Sequence, residues 1–141
     1  MTAQGENILA FLDRAITERA ETARSADKEL GGAWAAKWVE RTDSFSLATD
    51  SGIVVAADLP PGVAGHAALH DPASVLRRCA ADRKLIYLHG PNGGDCLMCA
   101  NPEEVSEDSD GNYEYYRSSL DFPCPTIVAL AEGYGWTEGE R

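Results

Sequence analysis

The stretch HGPNGGDCLMCA, residues 89–100, holds a histidine, a glycine-rich loop and a Cys-x-x-Cys pair. Such a pair can be a redox dithiol, half of a metal site, or two buried thiols that happen to be close. A thioredoxin-like pair normally follows a strand and opens a helix, whose N-terminus lowers the thiol pKa. Here GPNGGD precedes the pair and ANPEE follows it, so the flanks favour a metal site over redox chemistry.

Two further residues can complete a metal site. Cys124 lies between two prolines in FPCPT, a rigid position that suits a ligand, and His89 lies seven residues before Cys96, separated from it by a flexible loop. Structural zinc sites use four Cys and His ligands in tetrahedral geometry. We therefore expect one structural zinc ion in a closed Cys3His site formed by His89, Cys96, Cys99 and Cys124. The competing interpretation is that the cysteines are small buried hydrophobic residues, as we expect for Cys79 in the middle of a helix face.

The surrounding pattern predicts an α+β fold. Residues 6–28 carry apolar side chains every three or four positions, which predicts an N-terminal amphipathic helix. The segments AWAAKWVE, SFSLAT and GIVVAAD are rich in β-formers and predict a three-stranded antiparallel meander. Asp71 as a cap and Pro72 in the first turn begin a long central helix that ends at His89. A CxxC loop stapled by zinc and a short helix over 126–132 complete the predicted fold.

The length of 141 residues predicts a single domain over residues 1–141. Within it we expect an acidic loop at about 101–112 and a flexible tail at about 137–141. Because the pair Asp110 and Gly111 precedes alternating tyrosines, it predicts a hairpin turn.

The charge is negative and unevenly distributed. The net charge is −11, and residues 95–141 contribute 11 acidic and 2 basic side chains. Binding to a phosphate backbone requires Lys and Arg, so direct nucleic-acid binding is not expected. An acidic surface can attract a basic host or cellular protein, or simply maintain solubility. The sequence has no apolar run of about 20 residues and no basic leader, so we expect no membrane partner and a cytoplasmic location.

No catalytic motif is evident. The sequence contains no GxSxG, no P-loop and no GxGxxG after a strand. His66 and His70, spaced i and i+4 in HAALH, can share one helical face, which is a spacing that can bind metal. The leading hypothesis is a non-enzymatic accessory or interaction protein with structural zinc. The alternatives are an acidic phage-type inhibitor that mimics nucleic acid, and a metalloenzyme using His66 and His70.

Three elements in order carry a family resemblance: HAALHDPASVLRRCAADRKLIYLH, CLMC and FPCPTIVALA. They resemble the HxxxHDPxxVLRxxxAxR, CxxC and PCPT(L/I)xxLA elements of an uncharacterised family, a domain of unknown function in small actinobacterial and actinobacteriophage proteins. The resemblance implies an intracellular bacterial or phage-encoded protein with His89 and the three cysteines at motif positions, and it implies no activity. The chain departs from the family pattern in the long acidic insertion after Cys99 and in its last residues, which puts a shared partner in doubt.

Overall fold

The computed structural model describes residues 2–101 and 104–137. Its elements, in chain order, are α1 (Ala3–Leu30), β1 (Trp34–Val39), β2 (Ser44–Thr49), β3 (Val54–Leu59), α2 (Pro61–Leu69), α3 (Pro72–Leu88), β4 (Pro91–Asn92), β5 (Asp95–Ala100), β6 (Glu104–Glu107), β7 (Tyr113–Tyr116), β8 (Ser119–Asp121) and α4 (Pro125–Gly133). The chain is α+β, as predicted. In the described part of the chain, no helix combines the length and apolar character needed to cross a membrane.

The chain divides into two compact units. One consists of Ile16–Ala81, and the other combines Met1–Ala15 with Asp82–Arg141. The second unit contains all four residues of the predicted metal site. The prediction of one domain over residues 1–141 stays a prediction.

The unit Ile16–Ala81 contains the predicted meander. Strands β1, β2 and β3 form an antiparallel sheet in sequence order, with β2 in the middle. The last four residues of β2, Ser46–Thr49, are all buried. Because successive side chains of a strand point to opposite faces, both faces of β2 are covered. Helix α2 lies against β1 and β2.

Asp71 begins α3 in the way that the sequence predicts. Its Oδ1 accepts a hydrogen bond from the Ser74 N–H at 2.6 Å, and its Oδ2 accepts one from the Trp34 N–H at 3.2 Å. The carboxylate therefore caps α3 and holds the first residue of β1. Burial alone raises the pKa of Asp71, but the hydrogen bonds from Ser74 and Trp34 and the charge of Arg77 outweigh it and lower the pKa.

We predict that Asp71→Ala lowers the free energy of unfolding by about 1–2 kcal/mol, because it removes a helix cap. Asp71→Asn retains one side-chain oxygen as an acceptor, so its free energy of unfolding should lie between those of wild type and Asp71→Ala. Since the pKa is lowered in the folded state, the carboxylate stabilises the protein above its unfolded pKa of about 4, and that contribution is lost as pH falls through the lower folded value. Urea unfolding from pH 7 to pH 3 should show the difference between wild type and Asp71→Asn shrinking below about pH 4. A constant difference would contradict the assignment.

The second unit contains a small sheet that the sequence did not predict. Strand β5 lies between β4 and β8 and is antiparallel to both. Strands β4 and β5 are joined by Gly93 and Gly94, with φ of 65° and 112°. Two consecutive positive φ values are typical of a type I′ hairpin turn, which glycine adopts without strain. The CxxC pair, which the sequence assigns to a zinc-stapled loop, therefore lies within a strand, Asp95–Ala100.

Part of the segment predicted as an acidic loop lies in a hairpin. Of residues 101–112, Glu104–Glu107 form β6, which pairs with β7 in an antiparallel hairpin, and Pro102 and Glu103 lie outside the described residues. The predicted turn at Asp110 and Gly111 is confirmed, because the Asp108 carboxylate accepts the N–H groups of Asp110 and Asn112 across it. A polar turn that satisfies its own backbone allows the flanking acidic residues to pair as a strand. The predicted tail lies outside the described residues from 138 onward.

The core of the second unit packs residues of α1 and α4 against the sheet formed by β4, β5 and β8. Its buried members are Ile8, Leu12, Cys96, Phe122, Cys124, Ile127, Ala131 and Trp136. Phe11 on α1 packs edge-on against Trp136, with ring centroids 5.0 Å apart. Two of the predicted ligand cysteines are thus members of the hydrophobic core.

Candidate metal centre

The four residues that the sequence predicts as ligands come together. One donor atom from each of His89, Cys96, Cys99 and Cys124 lies within 4.8 Å of every other. The Nδ1 atom of His89 lies 3.7 Å from the Sγ of Cys96, 3.3 Å from that of Cys99 and 3.7 Å from that of Cys124. All four cysteines of the chain are free thiols.

These distances match the edges of a coordination tetrahedron. With a Zn–S bond of about 2.3 Å and a Zn–N bond of about 2.0–2.1 Å, tetrahedral angles place nitrogen and sulfur about 3.5 Å apart. The three observed Nδ1–Sγ distances lie within a few tenths of an ångström of that value. Three thiols and one imidazole are also a donor set that zinc commonly uses. The residues present therefore fit a tetrahedral metal ion.

A bulge in β5 explains how both cysteines of the CxxC pair face one point. In a regular strand, residues i and i+3 point to opposite faces. Here Asp95 pairs with Asp121 and Ala100 pairs with Ser119, so a five-residue step on β5 opposes a two-residue step on β8. The surplus residues bulge out of the ladder, and Leu97 and Met98 at the bulge are exposed. This irregularity allows both sulfurs to turn toward His89.

Helix ends position the other two donors. His89 directly follows α3, and its N–H donates to the Leu85 carbonyl at 2.9 Å, which continues the last helical turn. Cys124 directly precedes α4 between Pro125 and the cis Phe122–Pro123 peptide bond. Its side chain makes no capping hydrogen bond and lies against the other donors instead.

The thiols are electrostatically unequal. Burial raises the pKa of Cys96, but hydrogen bonds from the backbone N–H groups of Met98 and Cys99, together with those involving His89 and Cys124, outweigh it and lower the pKa to about 7. Burial, followed by the neighbouring Cys124 and Cys96 thiols, raises the pKa of Cys99 to about 11. One thiolate is therefore favoured, whereas a second beside it is opposed by burial and like charge. A bound dication reverses that opposition, because its own charge is the largest in the site.

A comparison of the chain with models of known protein families agrees with the sequence resemblance. The model of a family of unknown function (DUF6221) matches residues 5–134. The chain belongs to this family. No curated protein and no solved structure gives a significant match. The matched range contains all four clustered residues, so the candidate metal centre of this DUF6221 chain lies within the shared region.

The predicted histidine pair belongs to the unit Ile16–Ala81, whereas the four clustered donors belong to the other unit. His66 and His70 are exposed, and their rings lie against each other with centroids 4.5 Å apart. Among the described residues, the His89 cluster is the only group of three or more His, Cys, Asp or Glu side chains placed to hold a metal. Cys79 is buried and outside the cluster, as predicted.

Sequence reasoning missed a polar contact that positions α4. The Asp82 carboxylate on α3 is only 1% exposed and accepts a hydrogen bond from the Tyr134 hydroxyl at 2.6 Å. Tyr134 directly follows α4, so the bond connects α3 to the far end of the helix that Cys124 precedes. The available signal was spacing, since Asp82 lies four residues before Ile86 on the face that the helical pattern assigns to the core.

We predict that Cys124→Ser strongly destabilises this DUF6221 chain and abolishes its response to chelator. The substitution removes a thiolate donor and places a hydroxyl at a fully buried position, and together these should cost several kcal/mol. Thermal unfolding should show a chelator-induced drop in Tm for wild type and none for Cys124→Ser.

Cys79→Ser is the matched control. It also buries a hydroxyl, but outside the cluster, so its chelator-induced drop in Tm should equal that of wild type. Equal chelator responses in Cys124→Ser and Cys79→Ser would contradict the assignment of Cys124 to the centre.

Proposed function

We propose that this protein is a small intracellular, bacterial or phage-encoded accessory protein that binds one structural zinc ion through His89, Cys96, Cys99 and Cys124 and acts by interacting with another protein. The observation that carries the proposal is the set of Nδ1–Sγ distances, 3.3–3.7 Å, around one point. Zinc suits this set because it accepts tetrahedral thiolate and imidazole ligands without redox change.

A structural role is supported by the number and surroundings of the donors. Four protein ligands fill a tetrahedral ion, whereas catalytic zinc sites keep one position open for water or substrate. Cys96 and Cys124 are also members of the hydrophobic core. In such a site the free energy of metal binding is largely folding free energy.

A second candidate function is an acidic inhibitor that mimics nucleic acid for a host protein. It is favoured by five carboxylates within residues 104–116, a segment with no Lys or Arg, whose described strand residues are all exposed. Such a mimic would compete with DNA for a basic protein and lose affinity steeply with salt. Displacement of DNA from a basic host protein by stoichiometric amounts of the chain would favour this candidate over the first.

The proposal predicts one zinc ion per chain. Elemental analysis of protein purified without added metal and dialysed at neutral pH should give about one zinc, and acidification or chelation should release it, because the ligands bind as thiolates and neutral imidazole. Cobalt(II) exchanged into the site should show the visible absorption of tetrahedral thiolate coordination.

The histidine pair supplies the control for metal count. His66→Ala with His70→Ala should leave one zinc per chain, whereas His89→Ala should lower zinc retention during dialysis against chelator. Zinc that stays substoichiometric after refolding with excess zinc would overturn the proposal. Two metals per chain, with one lost in the His66/His70 variant, would instead support a metalloenzyme.

A further inference from the structure

The β6–β7 hairpin, residues 104–116 and hereafter the arm, presents an exposed two-stranded sheet. All eight residues of its strands are exposed. In the described part of the chain, no third strand pairs with either β6 or β7. Both edges of the arm therefore offer backbone N–H and C=O groups, and such edges are templates for the addition of another strand.

The register identifies which residues face the open edge of β7. The Asp108 N–H donates to the Asn112 carbonyl at 2.9 Å, so this pair is a hydrogen-bonded one. Hydrogen-bonded and non-hydrogen-bonded pairs alternate along an antiparallel ladder. Tyr113 and Tyr115, which pair with Glu107 and Val105, therefore direct their backbone groups away from β6.

The same two tyrosines form an apolar surface. Side chains of paired residues lie on one face of a sheet, so Tyr113, Tyr115 and Val105 share a face. Their exposed fractions are 63%, 68% and 54%. Tyrosine rings can pack on apolar side chains and on guanidinium groups.

The negative charge of the arm determines which kind of partner can bind this surface. The arm carries five carboxylates, on Glu104, Glu107, Asp108, Asp110 and Glu114, and no Lys or Arg. A second copy of the chain would place like charges opposite one another, and a nucleic acid would place phosphates there; both are repulsive. An extended segment rich in Arg or Lys complements the carboxylates.

The base of the arm adjoins β5, the strand that carries the CxxC pair. The Asn101 N–H donates to the Ser118 carbonyl at 2.8 Å, and the Asn101 side-chain amide donates to the Ser118 hydroxyl at 2.9 Å. Asn101 lies two residues after Cys99 and directly after β5. The chain therefore enters and leaves the arm through the sheet that carries the CxxC pair.

We infer that the open edge of β7 binds an extended basic segment of a partner protein by strand addition, with Tyr113 and Tyr115 supplying both edge hydrogen bonds and apolar contacts. The inference rests on the proposed function as an interaction protein and names the surface and the chemistry of its partner. Arg or Lys at alternate positions of the segment would face the arm's carboxylates, and apolar residues between them would contact the tyrosines.

The test uses the full-length zinc-loaded protein and a blocked ten-residue peptide of alternating Arg and Val. One control peptide replaces each Arg with Glu, and a second replaces a central Val with Pro, which keeps the charge but prevents continuous strand pairing. Calorimetric titration at about 0.15 M salt limits non-specific attraction. Amide shifts in NMR of the unaltered chain show where the peptide binds without relying on any variant.

The expected result is binding of the basic peptide, no binding of the acidic one, and affinity about tenfold or more weaker for the proline peptide. Amide shifts should concentrate at Tyr113 and Tyr115. The double variant Tyr113→Ala/Tyr115→Ala should bind about tenfold or more weakly. Tyr87→Ala, which removes a ring that is 81% exposed outside the arm, should bind as wild type does.

No binding of the basic peptide would overturn the inference. Equal affinity for the proline peptide would also overturn it, in favour of the simple charge attraction expected of a nucleic-acid mimic. Concentration-dependent dimerisation that disappears in the Tyr113/Tyr115 variant would assign the edge to a second copy. The zinc content of each sample distinguishes these outcomes from failure of the proposed metal site. If a chain that contains no zinc still binds the peptide, the inference about the arm is supported and the proposed zinc site is contradicted.

Discussion

Three thiols and one imidazole meet around a single point in the second unit, and two of the thiols are members of its apolar core. Without a cation, the donors oppose one another, since ionising one thiol makes ionisation of its neighbours less favourable. A bound dication would attract the thiolates, so the short distances between the sulfur atoms would then be favourable. The geometry of the cluster therefore suits a metal ion, although buried neutral thiols also pack in the apolar core, where Cys96 and Cys124 lie.

The four donors of the candidate centre come from three separate parts of the chain. His89 follows the last turn of α3, the CxxC pair lies in a bulged strand, and Cys124 precedes a nine-residue helix. Short helices and strands of a few residues are marginal by themselves. The apolar cluster of this unit includes two of the cysteines, so the candidate metal centre and the core packing share residues. Small domains with small cores are commonly stabilised by a structural ion, and the proposed zinc would act in this way here.

The sequence was informative where local chemistry decides structure. Asp71 and Pro72 specify a helix start through groups adjacent in the chain, and two prolines around Cys124 mark a rigid ligand position. The sequence was uninformative where short strands pair with partners that are distant in the chain. Strand β8 contains three residues, SLD, and pairs with β5 across the whole arm, so no periodicity could reveal it. The buried Asp82 was missed because a charged residue on a helix is normally assigned to the surface, and its partner Tyr134 is distant in the sequence.

The position of the arm explains how one small unit can combine a packed core with an exposed surface for binding. The arm is inserted between Cys99 and Cys124, and the β5–β8 pairing closes its base on the side of the metal centre. Residues within the arm make no contribution to the apolar cluster of this unit, so they are free to carry exposed tyrosines and carboxylates that a core could not accept. Connections held at both ends by a rigid scaffold are where binding surfaces commonly occur. The acidic segment after Cys99 therefore lies outside both the apolar core and the four clustered donors, so its composition is not constrained by either.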